Sequence, residues 1–217
     1  MGVWGVSPPR KVCKANEYFL MEIERVDVAY PRTYAIVEDG EVVKKVSLSI
    51  IPLQKLSSVV SLEEIEKLEY TGAIKYAVRL LARQAMHSRQ LDTKFSLHYV
   101  GENVREGVCE YCCRQGWVDD DAWVESKVRQ WQRQGKSERE IRFRFQRLGI
   151  EVGAVHSSDR ETLASFIERK YPQLFQDQIP KKEKDRIIRS LLRRGFSYSL
   201  IKEILYDKAN NCIMREE

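Results

Sequence analysis

The feature that most constrains the fold of this chain is an internal repeat in its second half. The segments "IRFRFQRLGIEVGAV" and "IIRSLLRRGFSYSLI" align so that Ile187 follows Ile141 by 46 residues. In each segment apolar residues recur four positions apart, and a glycine then ends the helical pattern, because glycine adopts positive φ without steric cost. An apolar residue follows each glycine, as Gly149–Ile150 and Gly195–Phe196. We therefore predict a short helical unit whose copies stack and bury their apolar faces against one another.

A weaker copy of the unit lies upstream of these two. Leu91, Phe95 and Val100 occupy the apolar positions, but Tyr99 stands where the other copies have glycine. This copy is therefore divergent in sequence. Helical patterning extends over residues 61–207, which gives room for about three units.

The N-terminal part is patterned as β-structure instead. It is rich in Val, Ile and Tyr, and Asp39-Gly40 is a two-residue hairpin signal, because a type I′ turn needs positive φ at both central positions. The pattern predicts strands at about 18–29, 33–38 and 41–46. Since a few short strands are rarely stable alone, this region should pack against the helices that follow.

The sequence thus predicts a mainly α fold of tandem helical repeats, preceded by a small N-terminal β-hairpin or β-sheet region. We divide the chain into a flexible N-terminal segment, a β-rich region, three helical repeats and a C-terminal tail. Their respective bounds are 1–16, 17–60, 61–118, 119–157, 158–207 and 208–217.

Composition and charge exclude several classes of protein. No apolar run approaches the roughly 18 residues of a membrane helix, and the N-terminus lacks the charged-then-apolar order of a signal peptide. We therefore expect a cytoplasmic protein with no membrane partner, whose five cysteines are reduced thiols. The formal net charge is only +5, but Lys and Arg concentrate between Lys127 and Arg194. Such a stripe is typical of proteins that contact nucleic acid or a partner bound to it, and a solvated helical surface is the alternative.

The stretch "CEYCCRQGWVDDDAW" crowds three cysteines into five positions. Cys109 and Cys112 have the spacing of a metal-binding knuckle, and Cys113 adds a third sulfur, but a four-ligand zinc site usually needs a second pair. The other two cysteines are isolated and the three histidines are scattered. A redox motif would follow a strand and open a helix, whereas this one lies near the end of a helical pattern. We predict packed thiols and no metal, with a zinc-dependent protein centred on these cysteines as an alternative.

The aspartates of the same stretch also have a structural interpretation. Gly116 lets the chain turn, and Asp119 and Asp120 precede the next helical pattern, where a carboxylate can accept the first N–H groups of the helix. Magnesium-dependent nuclease chemistry would need further acidic partners, and the pattern supplies no convergent set. The sequence also contains no phosphate-binding glycine loop and no Ser-His-Asp set that spacing supports. We therefore expect no catalytic residues and no cofactor, and hence a binding protein.

Basic helices carry the expected interaction surface. In "SEREIRFRFQRLG" and "KKEKDRIIRSLLRRG" arginines surround an apolar stripe, so that they face away from the core, toward phosphates or the carboxylates of a partner. A further set of cations follows an upstream helix at four-residue steps. The predicted surface residues are Lys75, Arg79, Arg83, Arg139, Arg142, Arg147, Arg189, Arg193 and Arg194. The alternative is charge that only solubilises the helices.

These segments together resemble the RecX family of recombination regulators. "GWVDDDAWVESKV", "GKSEREIRFRFQRLGI" and "LLRRGFSYSLIKEIL" carry the likeness, and "AVRLLARQAMHSRQL" looks like the opening helix of the family followed by the start of its second helix. The likeness covers about residues 61–206, and Tyr99 and Ser137 depart from it where the family has glycine. The residues that match the pattern in order are Gly116, Val118, Asp119, Asp120, Gly135, Ile141, Gly149 and Ile150.

The resemblance implies a fold and a function. Family members are elongated, curved stacks of three-helix repeats that lie in the groove of the RecA–DNA filament, where they block filament growth or strand exchange and reduce ATP hydrolysis by RecA. It therefore implies a non-enzymatic, monomeric regulator of recombination and DNA repair, whose partners are the RecA filament and, through it, single-stranded DNA. The rival is a direct DNA-binding helical-repeat protein such as a transcription regulator, because short helix pairs ending in glycine also resemble helix-turn-helix units.

Overall fold

The protein is mainly helical, with a small sheet near its N-terminus. The computed structural model describes residues 21–26, 32–56, 61–153, 158–175 and 179–213, so the predicted segment 1–16 lies outside the described residues. The strands are β1 (Met21–Val26), β2 (Thr33–Glu38) and β3 (Glu41–Ser47). The helices are α1 (Leu53–Leu56), α2 (Leu62–Leu81), α3 (Ser88–Leu97), α4 (Glu102–Arg114), α5 (Asp120–Arg133), α6 (Glu138–Arg147), α7 (Asp159–Lys170), α8 (Lys181–Leu192) and α9 (Tyr198–Ile213), with a short 3-10 helix at Pro172–Phe175.

The expected fold class, helical repeats after a small β region, is confirmed. The sheet is an antiparallel meander in the order β1-β2-β3. Asp39 and Gly40 join β2 to β3 with φ of +52° and +81°, the positive values that the hairpin signal predicted. Among the described helices, none is long and apolar enough to cross a membrane.

The chain forms two compact units, residues 1–120 and 121–217. In the first, the sheet and helices α1 to α4 enclose one hydrophobic cluster that includes Ile36, Ile65, Leu91 and Phe95. The described part of the second unit holds two clusters. One contains Trp123, Ile141, Phe145 and Ile150, and the other joins α7, α8 and α9 through residues such as Leu163, Ile187, Leu191 and Ile201. The repeat bounds 61–118, 119–157 and 158–207 stay a prediction, and α9 continues to Ile213, into the predicted tail.

Four of the helices in the described part of the chain end at a glycine with positive φ. Gly116 and Gly135 have φ of +69°, Gly149 +67° and Gly195 +95°, at the ends of α4, α5, α6 and α8. At the end of α6 the N–H of Ile150 donates to the carbonyl of Phe145 over 3.0 Å. This is the Schellman pattern, which satisfies a terminal carbonyl and turns the following apolar residue toward the core. Ile150 and its counterpart Phe196 are accordingly buried.

Tyr99 adopts the same turn without being glycine. Its φ is +59°, and the N–H of Val100 donates to the carbonyl of Phe95 over 3.2 Å, as in the glycine-containing copies. The copy is thus divergent in sequence but keeps the backbone turn of the others. A non-glycine residue in this region costs about 1–3 kcal/mol. The turn persists because Phe95 and Val100 are both buried on the core side of it.

Two aspartates link the start of one helix to the start of another. Asp120, the first residue of α5, accepts the N–H of Ser88 over 2.7 Å at the start of α3, and it also accepts the Ser88 hydroxyl. Asp159, the first residue of α7, accepts the N–H of Glu138 over 2.7 Å at the start of α6. Asp119 directly precedes α5, as predicted. For Asp120 the prediction is corrected, because it is the first residue of α5 and its carboxylate accepts the N–H of Ser88 at the start of α3, 32 residues away.

The sheet is fastened to the helices by buried polar contacts. Lys44 of β3 donates to the buried Glu69 of α2 over 2.8 Å, and the same carboxylate oxygen accepts the N–H of Gly101, which precedes α4, over 3.2 Å. A Cβ at Gly72 would lie 2.2 Å from the carbonyl oxygen of Ile50, so the absence of a side chain lets α2 approach the chain after β3. The sheet therefore packs against the helices, as its size required.

A buried hydrogen-bond chain joins the same elements. The hydroxyl of Ser47 lies 2.8 Å from Nδ1 of His98, and the hydroxyl of Tyr76 lies 2.8 Å from Nε2. Both ring nitrogens are thus held within the fold, with His98 only 3% exposed. Burial, followed by the positive charge of Lys94, lowers the pKa of His98 below its ordinary value of 6.5. The ring is therefore neutral in the folded protein at pH 7.

Replacement of Gly116 tests the backbone requirement. A Cβ at this position meets no atom within 4 Å, so the change to Ala adds strain from φ alone. We expect Gly116→Ala to lower the free energy of unfolding by about 1 kcal/mol, measured by urea denaturation. Gly116→Asn is the matched control, because asparagine tolerates positive φ, and it should lose less. Equal losses for the two variants would contradict the proposed origin of the effect.

The buried His98 predicts acid sensitivity. Since its folded pKa is lowered, the unfolded chain binds the proton first as the pH falls below 6.5. The free energy of unfolding should therefore fall with pH between 6.5 and the lower folded value, by no more than about 1.4 kcal/mol per pH unit from this one group. His98→Gln should flatten that part of the profile, measured by urea denaturation from pH 7 to 5. An unchanged slope in the variant would show that His98 does not cause it.

Candidate partner-binding surfaces

A groove in the second unit gathers three of the nine predicted cations. It lies between α6 and the turn from α8 to α9, has a volume of about 1520 Å³, and is called the α6 groove below. Arg139, Arg142 and Arg193 line it together with two exposed apolar side chains, Phe143 at 53% and Leu192 at 40%. The internal repeat explains why residues of α6 and of the end of α8 line one groove, because α6 and α8 are the equivalent helices of two successive copies. The groove thus offers apolar contact area with cations beside it.

The α6 groove is mixed in charge. Four carboxylates also line it, those of Glu138, Glu140, Glu151 and Asp159. Arg142 donates from Nε to Glu138 over 2.8 Å, one turn earlier on α6, so its charge is partly compensated. Such exposed pairs contribute little to stability, at most about 1 kcal/mol, and can exchange partners. Burial raises the pKa of Asp159, against the opposing effect of the hydrogen bond from Glu138.

A second concave surface lies in the first unit. Lys75 and Arg79 of α2 line a groove of about 480 Å³ with the segment that follows β3. Arg79 donates from Nη2 to the carbonyl of Ser49 over 3.0 Å and lies 5.6 Å from the ring centroid of Tyr76. Arg83 is exposed in the turn after α2 and does not line this groove.

The remaining predicted cations are placed differently from one another. Arg147 is exposed at the end of α6. Arg189 is exposed on α8, where its Nε donates to the carbonyl of Asp185 over 3.2 Å. Arg194 is half-buried, with its guanidinium 4.4 Å from the ring centroid of Phe166. The nine cations therefore do not form one continuous set, and their roles in binding stay predictions.

The cysteines have separate environments. Cys112 is buried in the core of the first unit and Cys109 is half-buried, which agrees with packing, whereas Cys113 is exposed and does not extend the packing face. Burial raises the pKa of the Cys109 thiol to about 12, and it also raises the pKa of Cys112 and Cys113. Thiols that stay protonated are weak metal ligands and weak nucleophiles. Among the residues described, no group of three or more His, Cys, Asp or Glu could hold a metal ion.

A buried serine–histidine contact that could suggest catalysis joins Ser47 and His98. Both side chains are buried, and the second ring nitrogen of His98 faces Tyr76. A catalytic pair would need access for substrate, which this position within the sheet–helix contact does not give. We assign the pair to the packing of the first unit.

Sequence reasoning missed a second group of cations in the second unit. Arg133, Lys136, Arg169 and Lys170 surround Phe166 together with the predicted Arg194. The sequence signal for these cations is their position at helix C-termini, since each lies at or just beyond the end of a helix. Those ends are far apart in sequence, however, and only the packed fold brings them together.

Comparison with known proteins agrees with this architecture. The sequence model of the family "RecX, third three-helix domain" matches residues 158–205. The chain is 24% identical over 205 residues to "Regulatory protein RecX" of Streptococcus pyogenes serotype M5 (strain Manfredo), covering 90% of this chain and 74% of that protein. It is 23% identical over 205 residues to the protein of the same name from Streptococcus uberis, with the same coverage.

A solved structure shares the fold. The crystal structure of RecX from Lactobacillus salivarius superposes with a TM-score of 0.52 at 18% identity, covering 64% of this chain and 96% of that one. The relatives are named as regulatory proteins over most of the length of this chain. Over most of its length the chain is thus similar to RecX proteins, and residues 158–205 match the third three-helix domain of that family.

Proposed function

We propose that this chain is a non-enzymatic regulator of homologous recombination that binds the RecA–DNA filament in the cytoplasm. Its binding inhibits filament growth, the ATPase activity of RecA and strand exchange. The family resemblance supplies the partner, and the relatives named as regulatory proteins support a regulatory role. The structural observation that carries the proposal is the α6 groove, with its exposed apolar side chains between charges of both signs.

The composition of the α6 groove suits a protein partner. Stable protein interfaces combine a few apolar or aromatic anchors with a polar rim, and Arg is enriched among the residues that dominate binding. Phe143 and Leu192 can serve as the anchors, because both project from the packed helices. Arg139 and Arg193 are exposed beside them and can pair with carboxylates of the partner.

The same composition argues against the groove as a surface for naked DNA. Phosphate backbones attract cations and repel carboxylates, and DNA-binding surfaces are strongly positive. Four carboxylates line the α6 groove. A sequence-specific DNA-binding regulator is therefore the less favoured function, and its signature would be strong sequence preference in the absence of RecA.

Filament growth on single-stranded DNA tests the proposal directly. Saturating protein should shorten RecA filaments seen by electron microscopy and lower the DNA-dependent ATPase rate of RecA. If filament length and ATPase rate both stay the same, the proposed function is wrong.

Charge reversal tests the groove itself. Arg139→Glu combined with Arg193→Glu should weaken inhibition of filament growth by about tenfold, which corresponds to about 1.4 kcal/mol. Lys181→Glu combined with Lys182→Glu is the matched control, because it makes the same charge change at exposed positions of α8 outside the groove. Far-UV circular dichroism should show unchanged helicity in both. Equal inhibition by the groove variant and the control would remove the α6 groove from the interface.

A further inference from the structure

A second concave surface in the residue 121–217 unit is strongly cationic. We call it the Phe166 cleft; its volume is about 530 Å³, and Phe166 lies among the cations Arg133, Lys136, Arg169, Lys170 and Arg194. None of the residues that line it is acidic. This distinguishes it from the α6 groove, where carboxylates and cations alternate.

Three helix ends build the Phe166 cleft. Arg133 is the last residue of α5 and Lys136 follows it, Arg169 and Lys170 end α7, and Arg194 follows α8. Helix C-termini carry partial negative charge, which explains part of this clustering. Arg169 donates to the carbonyl of Arg133, and Arg194 donates to the carbonyl of Gln134. Each of these bonds uses one of the five N–H groups of a guanidinium, so donors remain for a ligand.

The ring of Phe166 helps to position the cations around it. The guanidinium carbon of Arg194 lies 4.4 Å from the ring centroid of Phe166, that of Arg169 lies 6.0 Å away, and Nζ of Lys170 lies 5.8 Å away. At these distances the ring attracts cations through its quadrupole. Phe166 itself is 4% exposed, so its ring is not available to stack on a nucleic-acid base. A ligand in the cleft would therefore contact the arginine and lysine side chains that cover the ring, and not the ring itself.

Burial and neighbouring charges both act on Lys136, one of the cations that line the cleft. The pKa of Lys136 is lowered, first by burial and then by the positive charge of Arg144, and Arg194 acts in the same direction. Glu140 opposes the shift, since its carboxylate lies 3.8 Å from Nζ of Lys136. An anion entering the cleft would lie beside the five cations that line it and relieve their mutual repulsion.

We propose that the Phe166 cleft binds phosphates of the single-stranded DNA backbone directly, without reading base sequence. Successive phosphates carry dense negative charge, and the planar donor forks of arginine bind phosphate oxygens in pairs. An acidic protein segment is less favoured, because the cleft has no exposed apolar anchor of the kind found in the α6 groove. Phosphate binding at this cleft does not depend on the proposed contact with RecA. In the RecA–DNA filament it would add a second contact, made to the DNA.

Binding of a labelled oligothymidylate in the absence of RecA tests this site. Fluorescence anisotropy over a range of salt concentrations gives both the affinity and its salt dependence. Arg133→Gln combined with Lys170→Gln should weaken binding at low salt by at least about tenfold and reduce the slope of log K against log salt by about 1.4, since each phosphate contact on a single strand contributes about 0.7. Both side chains are exposed, so the urea unfolding midpoint should not change.

Lys181→Gln combined with Lys182→Gln is the matched control, because it removes the same charge from exposed positions of α8 outside the cleft. An equal loss of affinity and slope in the control would overturn the proposal, and so would an absence of wild-type binding at low salt. Poly-glutamate provides a second comparison. If it displaces the oligonucleotide at equal charge concentration, the cleft takes acidic protein and the proposal is wrong. Because no RecA is present, these outcomes are independent of the filament assay.

Discussion

Positive φ at the residue after a helix is the backbone requirement on which the rest of this structure depends. Within the described residues, five helices end in this way, four at glycine and α3 at Tyr99. The turn satisfies terminal carbonyls and sends the chain back toward the helix it has just left. As a result Val100, Val118, Ile150 and Phe196 are all buried shortly after a turn. Each hydrophobic cluster thus includes residues on both sides of a helix end, which joins consecutive helices into one packed unit.

The two grooves of the residue 121–217 unit follow from the same helix ends but differ in chemistry. The α6 groove lies beside carboxylates that satisfy helix N-termini, including Asp159, whose side chain accepts the first N–H of α6. The Phe166 cleft lies beside helix C-termini, whose carbonyls hold the guanidiniums of Arg169 and Arg194. Helix polarity therefore favours carboxylates in the α6 groove, where they lie beside arginines, whereas the charged residues that line the Phe166 cleft are all cations. The proposed protein-binding surface and the proposed phosphate-binding surface therefore occupy different places on one small unit.

The apolar pattern predicted the core well, because burial follows helical periodicity along a single segment. Ile141, Phe145, Ile187 and Leu191 were all expected inside and all are buried. Tyr99 shows the limit of local propensity, since packing of its neighbours overrides the preference of its side chain. The bond from Asp120 to Ser88 and the stacking of Arg194 on Phe166 join residues far apart in sequence. Helical periodicity within one segment does not reveal contacts between residues distant in sequence. The candidate surfaces depend on such contacts more than the fold does.

The separate hydrophobic clusters have a consequence for how the chain acquires structure. The cluster of Trp123, Ile141, Phe145 and Ile150 draws on one short stretch of sequence, and the cluster of α7 to α9 is complete by Ile204. Contacts between residues close in sequence form quickly, because little loop entropy is lost in making them. Each cluster can therefore assemble as soon as its stretch has left the ribosome, without waiting for the residues that follow.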